Sequence, residues 1–122
     1  MRFITREIRN FKNRCIWSFN GFLHVCKTEA SMRQWIIANL ISVCFTFFVP
    51  ISHTEQAIIL LAGTLILAAE CMNTAIERVV DDIGKEFRPT AQQAKDAGSA
   101  TVAITAIAAG IAWLVILFRL YF

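Results

Sequence analysis

The chain has 122 residues, 57% of them apolar, with a formal net charge of +3 and a positive mean hydropathy. A soluble domain of this length does not hide so much apolar surface. The apolar residues fall in three long blocks between charged stretches, the distribution expected where lipid is the solvent.

The first expected element covers residues 1–30. Ile4, Ile8, Phe11, Cys15, Phe19, Phe22 and Cys26 recur at spacings of 4, 3, 4, 4, 3 and 4, one stripe of an α-helix. Arg2, Arg6, Arg9, Asn13 and Arg14 fall mostly elsewhere on the wheel. Such a helix is expected in the membrane interface, its aromatic side in lipid and its arginines near anionic head groups. The alternative is an amphipathic helix packed on a partner subunit. Gly21 is expected to soften or bend it. No cleavable signal peptide is expected, because the first apolar block starts only near Trp35.

Three spans follow, at 34–54, 56–80 and 97–119. Gln34–Thr54 carries no Asp, Glu, Lys or Arg, just enough for a bilayer core of roughly 20 helical residues. Pro50 is expected to end that helix. The second span is fully apolar in AIILLAGTLILAA and then contains Glu70, Asn73, Glu77 and Arg78. Gly84 and Pro89 punctuate the next loop, and Thr90 with Gln93 reads as a capping box that opens the helix of the third span. Helices are required in lipid because each backbone N–H and C=O must pair within its element. The expected fold is therefore an all-α membrane protein: one domain over 1–122, an amphipathic interfacial helix and three transmembrane helices.

Residues 1–33 carry seven Lys or Arg against two acids; the first inter-span loop has no Lys or Arg, and the second has Lys85, Arg88 and Lys95. The positive-inside rule puts the N-terminus and second loop in the cytoplasm. Cys15, Cys26, Cys44 and Cys71 form no CxxC pair, which argues against a disulfide framework or a zinc site. No nucleic-acid partner is expected.

Glu70, Asn73, Glu77 and Asp81 are separated by 3, 4 and 4 residues, so one helix face carries three carboxylates and an amide. A carboxylate in a bilayer costs a few kcal/mol, and such groups face a protein interior or a wet cleft. Stacked carboxylates repel, and a divalent cation relieves that; their oxygens suit Mg²⁺. Taken singly, Asp81 reads as an exposed loop acid and Asn73 as a helix–helix hydrogen-bond partner. Glu77, near the interface, reads as a partner for Arg78 of another subunit or for lipid head groups. Glu70 is deepest, where a purely structural role is least comfortable. Glu29, Lys95 and Asp96 lie just before spans, at the same membrane side as Glu77 and Asp81.

The segment Glu70-Cys-Met-Asn73-Thr-Ala-Ile-Glu77-Arg-Val-Val-Asp81 resembles the ExxNxAIExxxD signature of the bacterial integral-membrane diacylglycerol kinases. Ala94-Lys95-Asp96-Ala97-Gly98-Ser99-Ala100 resembles their AKDxGSA motif, and Ser18 with Gly21 and Glu29-Ala-Ser-Met-Arg33-Gln34 sit at the family's spacings. The resemblance covers essentially the whole chain. It implies transfer of the γ-phosphoryl group of MgATP to diacylglycerol, giving phosphatidic acid, by a homotrimeric helical bundle with sites shared between subunits in the bacterial inner membrane. By position it makes Glu70 the general base and Glu29 and Glu77 the holders of the Mg²⁺ on ATP. Ser18, Asn73, Glu77, Asp81, Lys95 and Asp96 line the nucleotide, and Glu70 and Ser99 meet the lipid. Trp35 departs from the pattern, since a close member of the family carries an acid there. A sister branch phosphorylates undecaprenol, and Gly98-Ser99-Ala100 leans toward the diacylglycerol branch. A small proton-coupled transporter is the competing reading of another class; it explains Glu70 but not the acids and Lys95 gathered at the cytoplasmic ends. A non-catalytic membrane scaffold is a third.

Overall fold

The computed structural model describes residues 2–122, which form four α-helices: α1 (Arg2–Thr28), α2 (Ala30–Thr46), α3 (His53–Ile83) and α4 (Pro89–Tyr121). Among the described residues there is no strand. α1 follows the amphipathic pattern and runs unbroken through Gly21, so the expected bend there is absent. A single extended residue, Glu29 (φ −101°, ψ 122°), separates α1 from α2. Arg33 reaches back over this corner and donates to the carbonyls of Cys26 and Lys27, at 3.2 and 3.1 Å. It thereby satisfies carbonyls that the end of α1 leaves open.

The first expected span, 34–54, is corrected. α2 stops at Thr46, its 17 residues giving about 26 Å of helix, the low end of what crosses a bilayer. Val49 precedes Pro50, whose ring disfavours α geometry in its neighbour. The Phe47 and Phe48 amides close tight turns onto Cys44 and Phe45, at 3.1 and 3.0 Å. Ser52 then caps α3 in a reciprocal box: its hydroxyl accepts from the Glu55 amide, and the Glu55 carboxylate accepts from the Ser52 amide at 2.8 Å. The box expected at Thr90 and Gln93 does not form. Pro89 takes the first helical position and Arg88 the cap, leaving Thr90 two residues too deep.

α3 and α4 are each long and apolar enough to cross a membrane. Their 31 and 33 residues give about 47 and 50 Å, well beyond the about 30 Å of a hydrocarbon core. Only 28% of the most apolar stretch of α3, and 11% of that of α4, is buried inside the chain. A soluble core helix would hide most of it; here Leu61, Ile104, Ile107, Leu114 and Val115 face outward. In water that surface would be an aggregation-prone patch, whereas lipid accepts it.

The two long helices run antiparallel, tied at one end by Arg119 to Glu55 at 2.8 and 3.0 Å and at the other by Lys95 to Asp81 at 2.9 Å. Between them Gly98 is buried against Asn73 and Ile76, which would lie 2.6 and 3.4 Å from an added Cβ. α2 packs on α3 through Asn39 over Gly63, and on α4 through the Trp113 indole, which donates to Ser42 at 2.8 Å and leans on Phe45. Met32, Ile59, Ile66, Ala69 and Val102 are among the few buried apolar side chains, and Met32 is fully enclosed.

Candidate active site

The α3 periodicity brings Glu70, Asn73 and Glu77 to one cleft of ≈ 410 Å³, which Ser31 and Trp35 of α2 and Ser99, Val102 and Ala103 of α4 complete. Glu70 is 4% exposed, and the Ser31 hydroxyl donates to its Oε1. A buried ionised carboxylate needs such a donor. Asn73 Nδ2 donates to Glu77 Oε1 at 3.1 Å, while Asn73 Oδ1 is buried without a partner and faces Gly98. Gly98 is therefore a packing residue that sets how closely α4 approaches the site, and its neighbour Ser99 is the one that reaches the cleft.

Asp81 and Lys95 line a second hollow of ≈ 210 Å³ at the α3–α4 connection, with Lys85, Glu86, Arg88 and Gln92. Arg88 holds that connection by donating to the carbonyls of Val80 and Gly84, both at 3.1 Å. Asp96 is exposed and accepts from Gln92 at 2.8 Å; it lines neither hollow. Ser18 is exposed on α1 and lines neither hollow. Glu29 is not in the cleft. Arg78 of α3 donates to its Oε1 at 3.0 Å and to Thr28 Oγ1 at 2.6 Å, and Thr28 also bonds Glu29 Oε1 at 3.0 Å. The Arg78 guanidinium, and then the Thr28 hydroxyl, hold the Glu29 carboxyl below its ordinary value of 4.5.

Sequence reasoning missed Ser31, Trp35, Arg78 and Arg88 as parts of this region. Ser31 and Trp35 stand four apart on α2, a shared face that the spacing could have shown. The pairing of Ser31 with Glu70 and of Arg78 with Glu29 crosses helices, and no local pattern carries it.

No group of three or more His, Cys, Asp or Glu converges on one point among the described residues. Mg²⁺ does not require such a cage: it takes one or two carboxylates, with phosphate oxygens and water for the rest. The hard oxygen of Glu77 in the cleft suits that cation, while the Glu29 carboxylate, outside the cleft, is occupied by Arg78.

A long antiparallel helix pair with apolar outer faces, a buried carboxylate at the cleft and charged ends beyond it define a small helical membrane protein with an enzyme-like site. The family model described as prokaryotic diacylglycerol kinase matches residues 16–117. The chain is 34% identical to a diacylglycerol kinase of Pseudomonas aeruginosa over 112 residues, 90% of this chain and 89% of the relative. It is 34% identical to one of Escherichia coli over 101 residues, 83% of each chain, and 33% identical to one of Haemophilus influenzae over 114 residues, 93% of this chain and 97% of the relative. The chain belongs to the prokaryotic diacylglycerol kinase family.

Proposed function

We propose that this chain is an ATP-dependent kinase that transfers the γ-phosphoryl group of MgATP to the hydroxyl of diacylglycerol, giving phosphatidic acid and ADP. The observation that carries the reading is Glu70, buried at the cleft with Ser31 bonded to one of its oxygens. Phosphoryl transfer asks little covalent chemistry of a protein; it needs an aligned acceptor, a base and charge stabilisation. Glu70 takes the hydroxyl proton as the lipid oxygen bonds to the γ-phosphorus and the bond to the bridging oxygen of ADP breaks. Ser31 fixes the carboxylate, and Ser99 faces the lipid across the cleft. Glu77 and Glu29 would hold the Mg²⁺ of MgATP, which when bound would supply positive charge to the phosphates.

Asn73 orients Glu77 through its amide. Lys95 and Asp81, with Arg88 and Lys85 nearby, offer a charged hollow to the polyphosphate. Asp96 and Ser18 are assigned to the nucleotide by family position alone. α2 is the first of three spans, with α3 and α4 the others, in a single 1–122 domain of a bacterial inner membrane with the N-terminus cytoplasmic. α1 lies in the interface, where its outward Ile8, Phe11 and Phe19 enter lipid. A homotrimer completes each site and covers part of the outward apolar surface.

Purified protein in micelles, offered labelled ATP with diacylglycerol or undecaprenol, tests this. The expected result is faster labelling of diacylglycerol; faster labelling of undecaprenol overturns the substrate, and labelling of neither overturns the kinase.

A further inference from the structure

The α1–α2 corner meets α3 through one polar cluster. Arg78 reaches from α3 to both Thr28 at the end of α1 and Glu29 at the start of α2. It stands one residue beyond Glu77 in sequence, so Glu29 is tethered beside the stretch of α3 that carries the other proposed metal ligand. Bringing a second carboxylate to that stretch without a cation would be repulsive. The guanidinium supplies the positive charge instead. The pair is half-exposed, with side chains 42% and 31% accessible, so it is weak enough to exchange.

We propose that Arg78 is a positioning residue that acts as a built-in counter-ion: it holds Glu29 against α3 until a divalent cation takes its place. The two cations compete for one carboxylate. Removing the guanidinium therefore leaves Glu29 in want of a positive partner and raises its affinity for the metal. This rests on the reading of Glu29 as a metal ligand.

The test is Mn²⁺ binding to the detergent-solubilised, nucleotide-free protein, read by electron paramagnetic resonance, so that no turnover is involved. Arg78→Gln should bind Mn²⁺ about two- to five-fold more tightly than wild type, the range a half-exposed ion pair supports. Arg78→Lys, which keeps the charge on a shorter side chain, should fall between them. It also preserves the test if the glutamine variant does not fold. Glu29→Gln in the Arg78→Gln background should abolish the gain. If Glu29→Gln leaves Mn²⁺ affinity unchanged in both backgrounds, Glu29 is not a ligand and the underlying reading fails. If Glu29→Gln weakens binding but neither Arg78 variant tightens it, the ligand stands and the counter-ion proposal is overturned.

Discussion

Replacing Gly98 with alanine tests whether the α3–α4 contact builds the site. The new Cβ would lie 2.6 Å from Asn73 Oδ1 and 3.4 Å from Ile76 Cδ1. Nonbonded heavy atoms settle at about 3.5 Å or more, so Asn73 has to move. Its amide is held by the bond to Glu77 at 3.1 Å, and moving it sacrifices that bond. Overpacking costs about 1–3 kcal/mol and the lost hydrogen bond about 1 kcal/mol. Alanine returns about 1 kcal/mol of helix propensity relative to glycine. The net expectation is a destabilisation of about 1–3 kcal/mol, together with a loss of kinase activity because Glu77 loses its orienting partner. Denaturation of the purified protein in micelles reads the first, and phosphorylation of diacylglycerol by labelled ATP reads the second. Gly98→Ala combined with Asn73→Ala should recover most of the stability but not the activity. A Gly98→Ala protein as stable and as active as wild type would refute the packing argument.

Ser31→Ala leaves the buried Glu70 carboxylate without its hydroxyl donor; hydrogen bonds to charged groups are worth about 1.5–3 kcal/mol, so kcat should fall about ten-fold or more in steady-state kinetics. Ser52→Ala opens the capping box of α3 and should cost about 1 kcal/mol in denaturation experiments while leaving kcat unchanged, since the cap lies at the end of α3 remote from the cleft. The Glu29 carboxyl titrates below 4.5 in the folded protein, so its contacts are complete above that value and are lost only as pH falls through the lowered one. Carboxyl NMR on metal-free protein should show this. In Arg78→Gln the titration should move back up toward 4.5, and an unmoved midpoint would exclude Arg78 as the cause.

The cleft was legible because three of its residues obey helical spacing and because carboxylates do not enter lipid-facing helices idly. Asp81 shares that spacing yet lies against Lys95 in a different hollow, since α4 enters beside the last turn of α3. The first span was misjudged because a charge-free run marks where lipid is tolerated, not where a helix stops. The Ser52–Glu55 box and the residue before Pro50 were the local signals, and they outrank the charge count. Ser31 and Arg78 were not legible as partners, because their bonds join residues 39 and 49 positions away in the chain. The family resemblance pointed to Glu29 but gave no hint that an arginine engages its carboxylate.

Replacement of Glu70 by glutamine tests the central claim most directly. The amide keeps the shape of the buried side chain but cannot take a proton. In micelles with labelled ATP and diacylglycerol, Glu70→Gln is expected to cut phosphatidic acid formation by about 100-fold or more, the scale of general-base catalysis, while nucleotide binding persists. Phosphatidic acid formed at the wild-type rate would contradict the account.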